Sequence, residues 1–253
     1  MTTRELSLTA LPGIPDVRPG DDLAALILEA LKRIDKQLQY GDAIVVAQKI
    51  VSKAEGRRVR LADVIPSPEA VKLATAAHKD PRQMELVLRE SREVLRVRPG
   101  VVVVEDRRGL VLANAGIDAS NVTNSGDTLL LLPEDPDASA VRLREALRKK
   151  SGVAPAVLVV DSLGRAWRLG TVGVAIGVAG MEALLDLRGR PDMNGRPLQT
   201  SELGQADELA AGASLVMGQS DERCPVVLAR GLDFGGEGKA ADLLRPRTLD
   251  MFR

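Results

Sequence analysis

A carboxylate and a hydroxyl stand side by side where an apolar run ends. Asp161 and Ser162 follow residues 156–160, which read Ala-Val-Leu-Val-Val. Such oxygen ligands suit a hard cation such as Mg²⁺ or Mn²⁺, and loops at strand ends often carry sites. Arg165 and Arg168 come next, so we expect groups that bind anions where the chain leaves the sheet. The alternative is an aspartate that begins a turn, and this segment alone leaves both open.

Two further segments place polar groups after or beside apolar runs. Residues 48–57 contain Lys49 and Lys53, and a lysine here can act as a point charge for a triphosphate. The alternative is a charged turn, since the spacing is not that of a Walker P-loop. In the other segment, the Asp118 carboxylate could ligate a cation and the Asn121 amide could bind a base or a phosphate. The alternative there is a turn with a helix cap.

A fourth segment begins where a predicted helix ends at Gly218 and supplies acceptor groups over residues 219–222. Alone, it is an ordinary glycine helix stop. The four segments together contain two aspartates with neighbouring hydroxyl or amide groups, a pair of lysines and several arginines. This set is typical of a metal-dependent phosphoryl-transfer site.

Composition excludes several other kinds of site. The chain has 253 residues, zero formal net charge, one histidine (His78) and one cysteine (Cys224). A histidine triad, a multi-histidine metal site, a cysteine zinc cluster and an internal disulfide are therefore excluded within one chain. No basic surface indicates nucleic acid, and no apolar run indicates a membrane span or a signal peptide. We expect a soluble cytoplasmic protein without nucleic-acid or membrane partners.

Hydrophobic periodicity predicts the elements that must position these groups. We expect strands over residues 6–10, 43–47, 96–105, 110–113, 128–132, 156–160, 171–180 and 226–229. We expect helices over residues 23–38, 68–91 with a break at Pro81, 138–150 and 200–216, a long loop over 187–199, and a loosely attached tail after Gly235. Because strands cluster instead of alternating strictly with helices, we predict an α+β fold with mixed, largely antiparallel sheets and flanking helices. Residues 1–253 are predicted to form one functional domain, which could comprise two structural lobes.

Seven stretches of the chain resemble the coenzyme F420-0:L-glutamate ligase family, which also occurs as the ligase domain of fused F420 biosynthesis enzymes. They follow one order and cover residues 13–22, 48–57, 115–121, 131–136, 161–168, 175–180 and 207–218. The resemblance implies a ligase that depends on GTP and a divalent metal and adds L-glutamate to F420-0 through a γ-linked amide. It also implies an intertwined homodimer, with Mg²⁺ or Mn²⁺ at the site and K⁺ as an accessory ion.

The resemblance also implies roles for individual residues. Nucleotide contacts are implied for Ile14, Pro15, Asp16, Val17, Gln48, Lys53, Asn121, Met217, Gly218 and Gln219. Metal ligands are implied at Asp118, Asp161 and Ser162, with Gln219 as a candidate ligand of a second metal. We therefore predict Lys53, Asp118 and Asp161 as the catalytic residues, and GTP, L-glutamate and F420-0 as the substrates.

The chain departs from the family pattern at four positions. Ser162, Leu163 and Ala166 stand where the family commonly has Thr, Phe and Pro, and Leu187 stands where a tyrosine is usual, near the expected deazaflavin or tail contacts. Ser162 keeps the hydroxyl that a metal needs. The other changes leave two alternatives open: a regulator that binds GTP and metal without ligating, and an amide ligase for a different acidic acceptor. The two arginines after Ser162 are candidates for the acceptor's phosphodiester or carboxylates.

A ligase must activate its carboxylate, because an unactivated carboxylate does not condense with an amine at neutral pH. We hypothesise that the terminal carboxylate of F420-0 attacks the γ-phosphate of GTP and that the amine of glutamate then attacks the acyl phosphate. Lys53 would offset charge on the transferred phosphoryl group. Since the chain has a single histidine, we expect a carboxylate or water to be the base for the amine.

Overall fold

A five-stranded mixed sheet forms the centre of the computed structural model, which describes residues 4–118 and 127–251. The strand order is β1-β12-β2-β8-β9; β2 and β8 are parallel, and the other neighbours are antiparallel. The strands of the described part are β1 (Ser7–Ala10), β2 (Ala43–Ala47), β3 (Arg58–Arg60), β4 (Ser91–Arg98), β5 (Val101–Asp106), β6 (Val111–Ala113), β7 (Thr128–Leu130), β8 (Ala156–Arg165), β9 (Arg168–Ala179), β10 (Leu185–Asp186), β11 (Glu202–Leu203) and β12 (Val226–Arg230).

Helices cover both faces of the central sheet. The α-helices of the described part are α1 (Leu23–Arg33), α2 (Gln48–Ala54), α3 (Pro68–Ala77), α4 (Pro81–Arg89), α5 (Pro136–Ser151) and α6 (Gln205–Met217). Side chains of β8 alternate between the faces: Val157 and Val159 join a buried cluster with α1 and α5, and Leu158 and Val160 join one with α6. Because both faces are buried, the strand sequence is continuously apolar. Among the described residues, no helix is both long and apolar enough to cross a membrane.

A smaller group of elements packs beside the main sheet. β4, β5 and β6 form an antiparallel sheet, and β3 pairs with β7. α3 and α4 belong to a buried cluster that includes Met84, Val87 and Val104. Ile117 belongs to the same cluster, so this group of elements anchors the segment that leads to Asp118.

The α+β class and most predicted elements are confirmed, and two helix boundaries were wrong. β2 has the predicted bounds, and the break at Pro81 separates α3 from α4. The first helix ends at Arg33 instead of residue 38, because Asp35 adopts a left-handed conformation with φ of 55°. The last helix begins at Gln205 instead of residue 200, because residues 202–203 pair with β10 as a strand.

The prediction that the chain leaves the sheet at Asp161 was also wrong. Asp161 and Ser162 still pair with Val174 and Gly173, so β8 and β9 continue together as a ribbon beyond residue 160. The ribbon turns at Trp167, which is 82% exposed. Asp161 therefore lies in a strand and pairs with β9 instead of lying in a loop.

The C-terminal segment is held against the fold by hydrogen bonds and ion pairs, so the prediction of a loosely attached tail was wrong. Asp137 of α5 accepts hydrogen bonds from the backbone N–H groups of Ala240 and Ala241 at 2.8 and 3.3 Å. Arg247 pairs with Glu93 and Glu105 at 2.7 and 2.6 Å. The segment therefore becomes part of the surface formed by α5 and the β4–β5–β6 sheet.

Candidate active site

The carboxyl end of β2 lies beside the middle of β8, because the two strands are parallel and the last residue of β2 pairs with Val160. β2 runs directly into α2, whose first turn carries Lys49. β8 continues into Asp161. Ligand sites of sheets with parallel strands commonly lie at such ends. Two of the four segments predicted to carry chemistry are thus neighbours.

Asp161 holds its carboxylate in surroundings that disfavour negative charge. Burial raises the pKa of this carboxyl from 3.8 to about 6, and repulsion from Asp118 adds to the rise. The backbone N–H of Ser162, which donates to Asp161 Oδ1 at 2.8 Å, and the charge of Lys49 oppose it. Two carboxylates that repel each other at a strand end favour a cation between them.

Asp118 is close enough to Asp161 for their charges to interact, and it is positioned by β7. Its backbone exchanges two hydrogen bonds with Leu130, at 2.9 and 2.8 Å. Its Oδ2 lies 2.6 Å from Lys49 Nζ, and both side chains are mostly buried. Lys49 is therefore a cation that partly balances the two aspartates.

Ser162 connects the hairpin to the segment that follows α6. Its Oγ donates a hydrogen bond to Gln219 Oε1 at 2.7 Å. α6 ends at Gly218 with φ of 77°, a conformation that favours glycine, and the chain then turns to Gln219. The hydroxyl and the amide predicted as metal ligands thus contact each other. Because side chains alternate along a strand, Ser162 projects from β8 to the α6 face, opposite to Asp161.

The four predicted metal ligands fit a hard divalent cation by their chemistry. Two carboxylates, a hydroxyl and an amide oxygen are the donors that Mg²⁺ and Mn²⁺ accept. Burial is the main cause of the raised pKa of Asp161, and the charge of Asp118 adds to it; a bound cation would lower this pKa. Residues 4–118 and 127–251 contain no group of three or more His, Cys, Asp or Glu side chains suited to a metal. A metal between Asp118 and Asp161 would therefore take further oxygen ligands from water or substrate.

The loop predicted to bind the nucleotide lies against the C-terminal end of α2. Lys53 Nζ lies 2.7 Å from Asp16 Oδ1, and Arg58 Nη2 donates to the Val17 carbonyl at 3.3 Å. The hydrogen bond from Lys53 holds the pKa of the Asp16 carboxyl below its usual range. An open cavity of about 420 Å³ lies beside Pro15 and Asp16, next to the start of α1. The loop and α2 thus form one continuous polar surface.

α2 connects this loop to the aspartates. Lys49 and Lys53 are four residues apart and share one face of the helix. Gln48 is buried, and its Oε1 accepts a hydrogen bond from Ser52 Oγ at 2.9 Å. A nucleotide contact at Gln48 would therefore use its backbone or the remaining amide nitrogen.

Other predicted residues lie in the core, on the exposed ribbon or outside the described chain. Met217 is buried against the α6 face of the sheet. Arg165 and Arg168 lie near the exposed end of the ribbon, where Arg165 Nη2 donates to the Leu169 carbonyl at 3.2 Å. Asn121 lies outside the described residues.

Comparison with known proteins decides the family. The family model for F420-0:Gamma-glutamyl ligase matches residues 13–231. The chain belongs to this family. It is 47% identical over 251 residues to the coenzyme F420:L-glutamate ligase of Methanothermobacter thermautotrophicus, covering 98% of this chain and 99% of the relative. It is 44% identical over 253 residues to the enzyme of that name from Methanopyrus kandleri, with 98% of each chain covered. The family predicted from the motifs is confirmed.

Lys49 is the member of this ligase-family site whose contact with an aspartate was not predicted. The sequence indicated it only as one of two lysines that can act as a point charge for a triphosphate, and charge balance on the phosphoryl group was predicted from Lys53, four residues later. The available signal was the position of Lys49 directly after a buried strand, two residues from its end. Its contact with Asp118 joins residues far apart in sequence, so only the fold could reveal it.

Proposed function

We propose that this chain ligates L-glutamate to coenzyme F420-0 with hydrolysis of GTP and with a divalent metal. The observation that carries the proposal is the meeting of Asp118, Asp161 and Lys49 where the carboxyl end of β2 lies beside its parallel neighbour β8. The loop containing Asp16 lies beside them on α2. Membership of the family supports a glutamate ligase acting on F420-0, since the relatives are named coenzyme F420:L-glutamate ligase.

The proposed reaction activates the acceptor before the amide forms. A carboxylate oxygen of F420-0 attacks the γ-phosphorus of GTP, the bond to the β-phosphate oxygen breaks, and GDP leaves. The amine of glutamate then attacks the acyl carbon, inorganic phosphate leaves, and the nitrogen loses a proton. Most of the catalysis is positioning and charge compensation, because both steps join reactants that carry negative charge.

Two lysines would supply the fixed positive charge. Lys49 and Lys53 share a face of α2 and can bind triphosphate oxygens as point charges. Above a pH of about 6, Asp161 is ionised, so its carboxylate can bind a cation at neutral pH. A carboxylate or water would accept the amine proton, because the single histidine, His78, caps the end of α3.

Asp118 and Asp161 would hold one Mg²⁺ or Mn²⁺ ion, and Ser162 and Gln219, which contact each other, would hold a second. When bound, the metal would neutralise charge on the phosphates. We also propose K⁺ as an accessory ion and a homodimer, as expected for the family.

Product mass tests this function. Purified protein is incubated with F420-0, GTP, Mn²⁺ and glutamate, and the mass of the product is measured by mass spectrometry. We expect a gain of one glutamyl group that requires GTP, and no gain contradicts the proposal. Hydrolysis of GTP that does not depend on F420-0 and glutamate would instead indicate a GTP-binding regulator. Ligation at the wild-type rate by Asp161→Ala would refute the metal assignment.

A further inference from the structure

Arg58 lies on the strand next to the one that positions Asp118. It is the first residue of β3 and pairs with Leu130 of β7. Leu130 in turn exchanges two backbone hydrogen bonds with Asp118, so its backbone lies between the other two. Residues directly opposite each other on neighbouring strands project to one face. The side chains of Arg58 and Asp118 therefore share a face, and Asp118 on that face meets Lys49 of α2.

The guanidinium of Arg58 contacts the loop of residues 14–17, to which a nucleotide contact is assigned. Its Nη2 donates a hydrogen bond to the carbonyl of Val17, a buried residue, at 3.3 Å. The hydrogen bond from Lys53 is the main cause of the lowered pKa of the Asp16 carboxyl, and the charge of Arg58 contributes to it. Arg58 thus holds this loop both by a backbone hydrogen bond and by attraction to its carboxylate.

The fold keeps Arg58 in this position at a cost. Its Nε is buried, and no acceptor among the described residues reaches it. Buried donors are normally paired, and an unpaired one lowers stability. Arg60, two residues along the same strand, is exposed and pairs with Asp63 instead. A residue that breaks a local rule in this way is expected where function requires it.

We propose that Arg58 is a positioning residue that holds the nucleotide loop at a fixed spacing from Asp118. It does so because its backbone is paired into the strands that carry Asp118 and its side chain bonds to Val17. A nucleotide that contacts the loop and shares a metal with Asp118 needs both at one spacing, and groups held in place beforehand bind more tightly. The inference rests on the proposed function, which makes the loop a nucleotide contact and Asp118 a metal ligand.

Two variants of Arg58 test this role, and a third variant is the control. Arg58→Met removes the guanidinium and keeps an apolar stem. Arg58→Lys keeps a charged donor that can still reach a carbonyl. Arg60→Met is the matched control, because it changes an exposed arginine of the same strand. Thermal melting shows whether each variant is folded. Arg58→Met should melt close to the wild type, since it also removes the unpaired buried Nε.

Nucleotide binding with and without metal is the decisive readout. Equilibrium dialysis with the β,γ-imido analogue of GTP measures the dissociation constant in Mg²⁺ and in EDTA. In Mg²⁺ we expect a rise of about tenfold for Arg58→Met and about threefold for Arg58→Lys, as for the loss or weakening of a charged hydrogen bond. In EDTA the rise for Arg58→Met should be less than about threefold, because the spacing to Asp118 then no longer affects binding.

Steady-state kinetics separates this role from a general loss of structure. KM for GTP should rise with the dissociation constant in Arg58→Met, whereas KM for F420-0 should change less than about twofold. The control should match the wild type in both measurements. An equal rise in KM for GTP and for F420-0 would indicate a structural role and would overturn the proposal.

The outcomes distinguish this role from the proposed function. If the wild type ligates and a folded Arg58→Met binds the analogue normally, or loses equal affinity in Mg²⁺ and in EDTA, the positioning role is overturned and the proposed function stands. If both Arg58 variants are unfolded, Arg58 is a structural residue and the role is likewise overturned. If the loss depends on Mg²⁺ but the wild type makes no product, the role is supported and the proposed function fails. If the wild type neither binds the analogue nor ligates, both are wrong.

Discussion

Replacing Asp161 by asparagine should stabilise the metal-free protein at neutral pH while abolishing ligation. Burial and Asp118 raise the pKa of the Asp161 carboxyl from 3.8 to about 6. Each unit of difference between the folded and unfolded pKa corresponds to about 1.4 kcal/mol. The ionised carboxylate therefore destabilises the fold by about 3 kcal/mol. Asparagine has no charge and keeps an oxygen for the Ser162 N–H that now donates to Oδ1.

The pH dependence of this effect has a defined sign. Below pH 3.8 the carboxyl is protonated in the folded and the unfolded chain, so its charge does not affect folding. Between pH 3.8 and about 6 the unfolded chain loses the proton first, so the free energy of unfolding falls as pH rises. Above a pH of about 6 the full destabilisation is present. The advantage of Asp161→Asn should therefore grow from near zero at acid pH to about 3 kcal/mol at neutral pH.

Urea unfolding in EDTA, at acid and at neutral pH, measures this difference. Asp63→Asn is the control, because Asp63 is an exposed aspartate paired with Arg60, and it should change stability by less than about 0.5 kcal/mol. Mg²⁺ should stabilise the wild type more than Asp161→Asn, since a ligand that binds only the folded state stabilises it. A variant no more stable than the wild type at neutral pH, or an advantage independent of pH, would refute the reasoning.

Three further substitutions have defined outcomes. Arg230→Met should lower the free energy of unfolding by about 3–5 kcal/mol in urea titrations. It leaves the buried carboxylate of Asp42, which lies 2.7 Å from Arg230 Nε, without this ion pair. A loss below about 1 kcal/mol would contradict the prediction. Gly177→Ala should lower the free energy of unfolding by about 1–3 kcal/mol, because the new Cβ would overlap a backbone carbonyl of α5. Gly164→Ala is the control, since its Cβ meets open space. Equal losses of stability in the two variants would show that the contact with α5 does not require glycine at position 177. Lys49→Met should lower kcat/KM about 100-fold. It should also lower the melting temperature, because it removes the lysine that pairs with Asp118 beside Asp161; wild-type kinetics would remove this lysine from the site.

The strands that position the site could be predicted from sequence, because their signal is local. The apolar run before Asp161 predicted a buried strand, and the run ending at Ala47 predicted a second strand with the correct bounds. That the two strands are parallel neighbours was not predicted. Strand ends were less predictable. Residues 161–165 continue β8 because they pair with β9, and the exposed composition of that ribbon carries no strand signal of its own.

Contacts between distant segments could not be predicted from composition or periodicity. Lys49 and Asp118 are far apart in sequence, and their ion pair depends on how β7 lies against α2. The same holds for the C-terminal segment, which was predicted to be loose but contacts Asp137, Glu93 and Glu105. Family motifs implied the metal-ligand positions, but they carried no information on these contacts.

Transfer of labelled oxygen tests the central claim most directly. F420-0 carrying ¹⁸O in its terminal carboxylate is incubated with the protein, GTP, Mn²⁺ and glutamate. The ¹⁸O content of the released phosphate and of the acceptor product is then measured by mass spectrometry. The account predicts one ¹⁸O in the phosphate for each glutamyl group added, because a carboxylate oxygen leaves with the phosphoryl group. Glutamylated product with unlabelled phosphate would contradict the acyl phosphate, and phosphate released without glutamylated product would contradict the ligase itself.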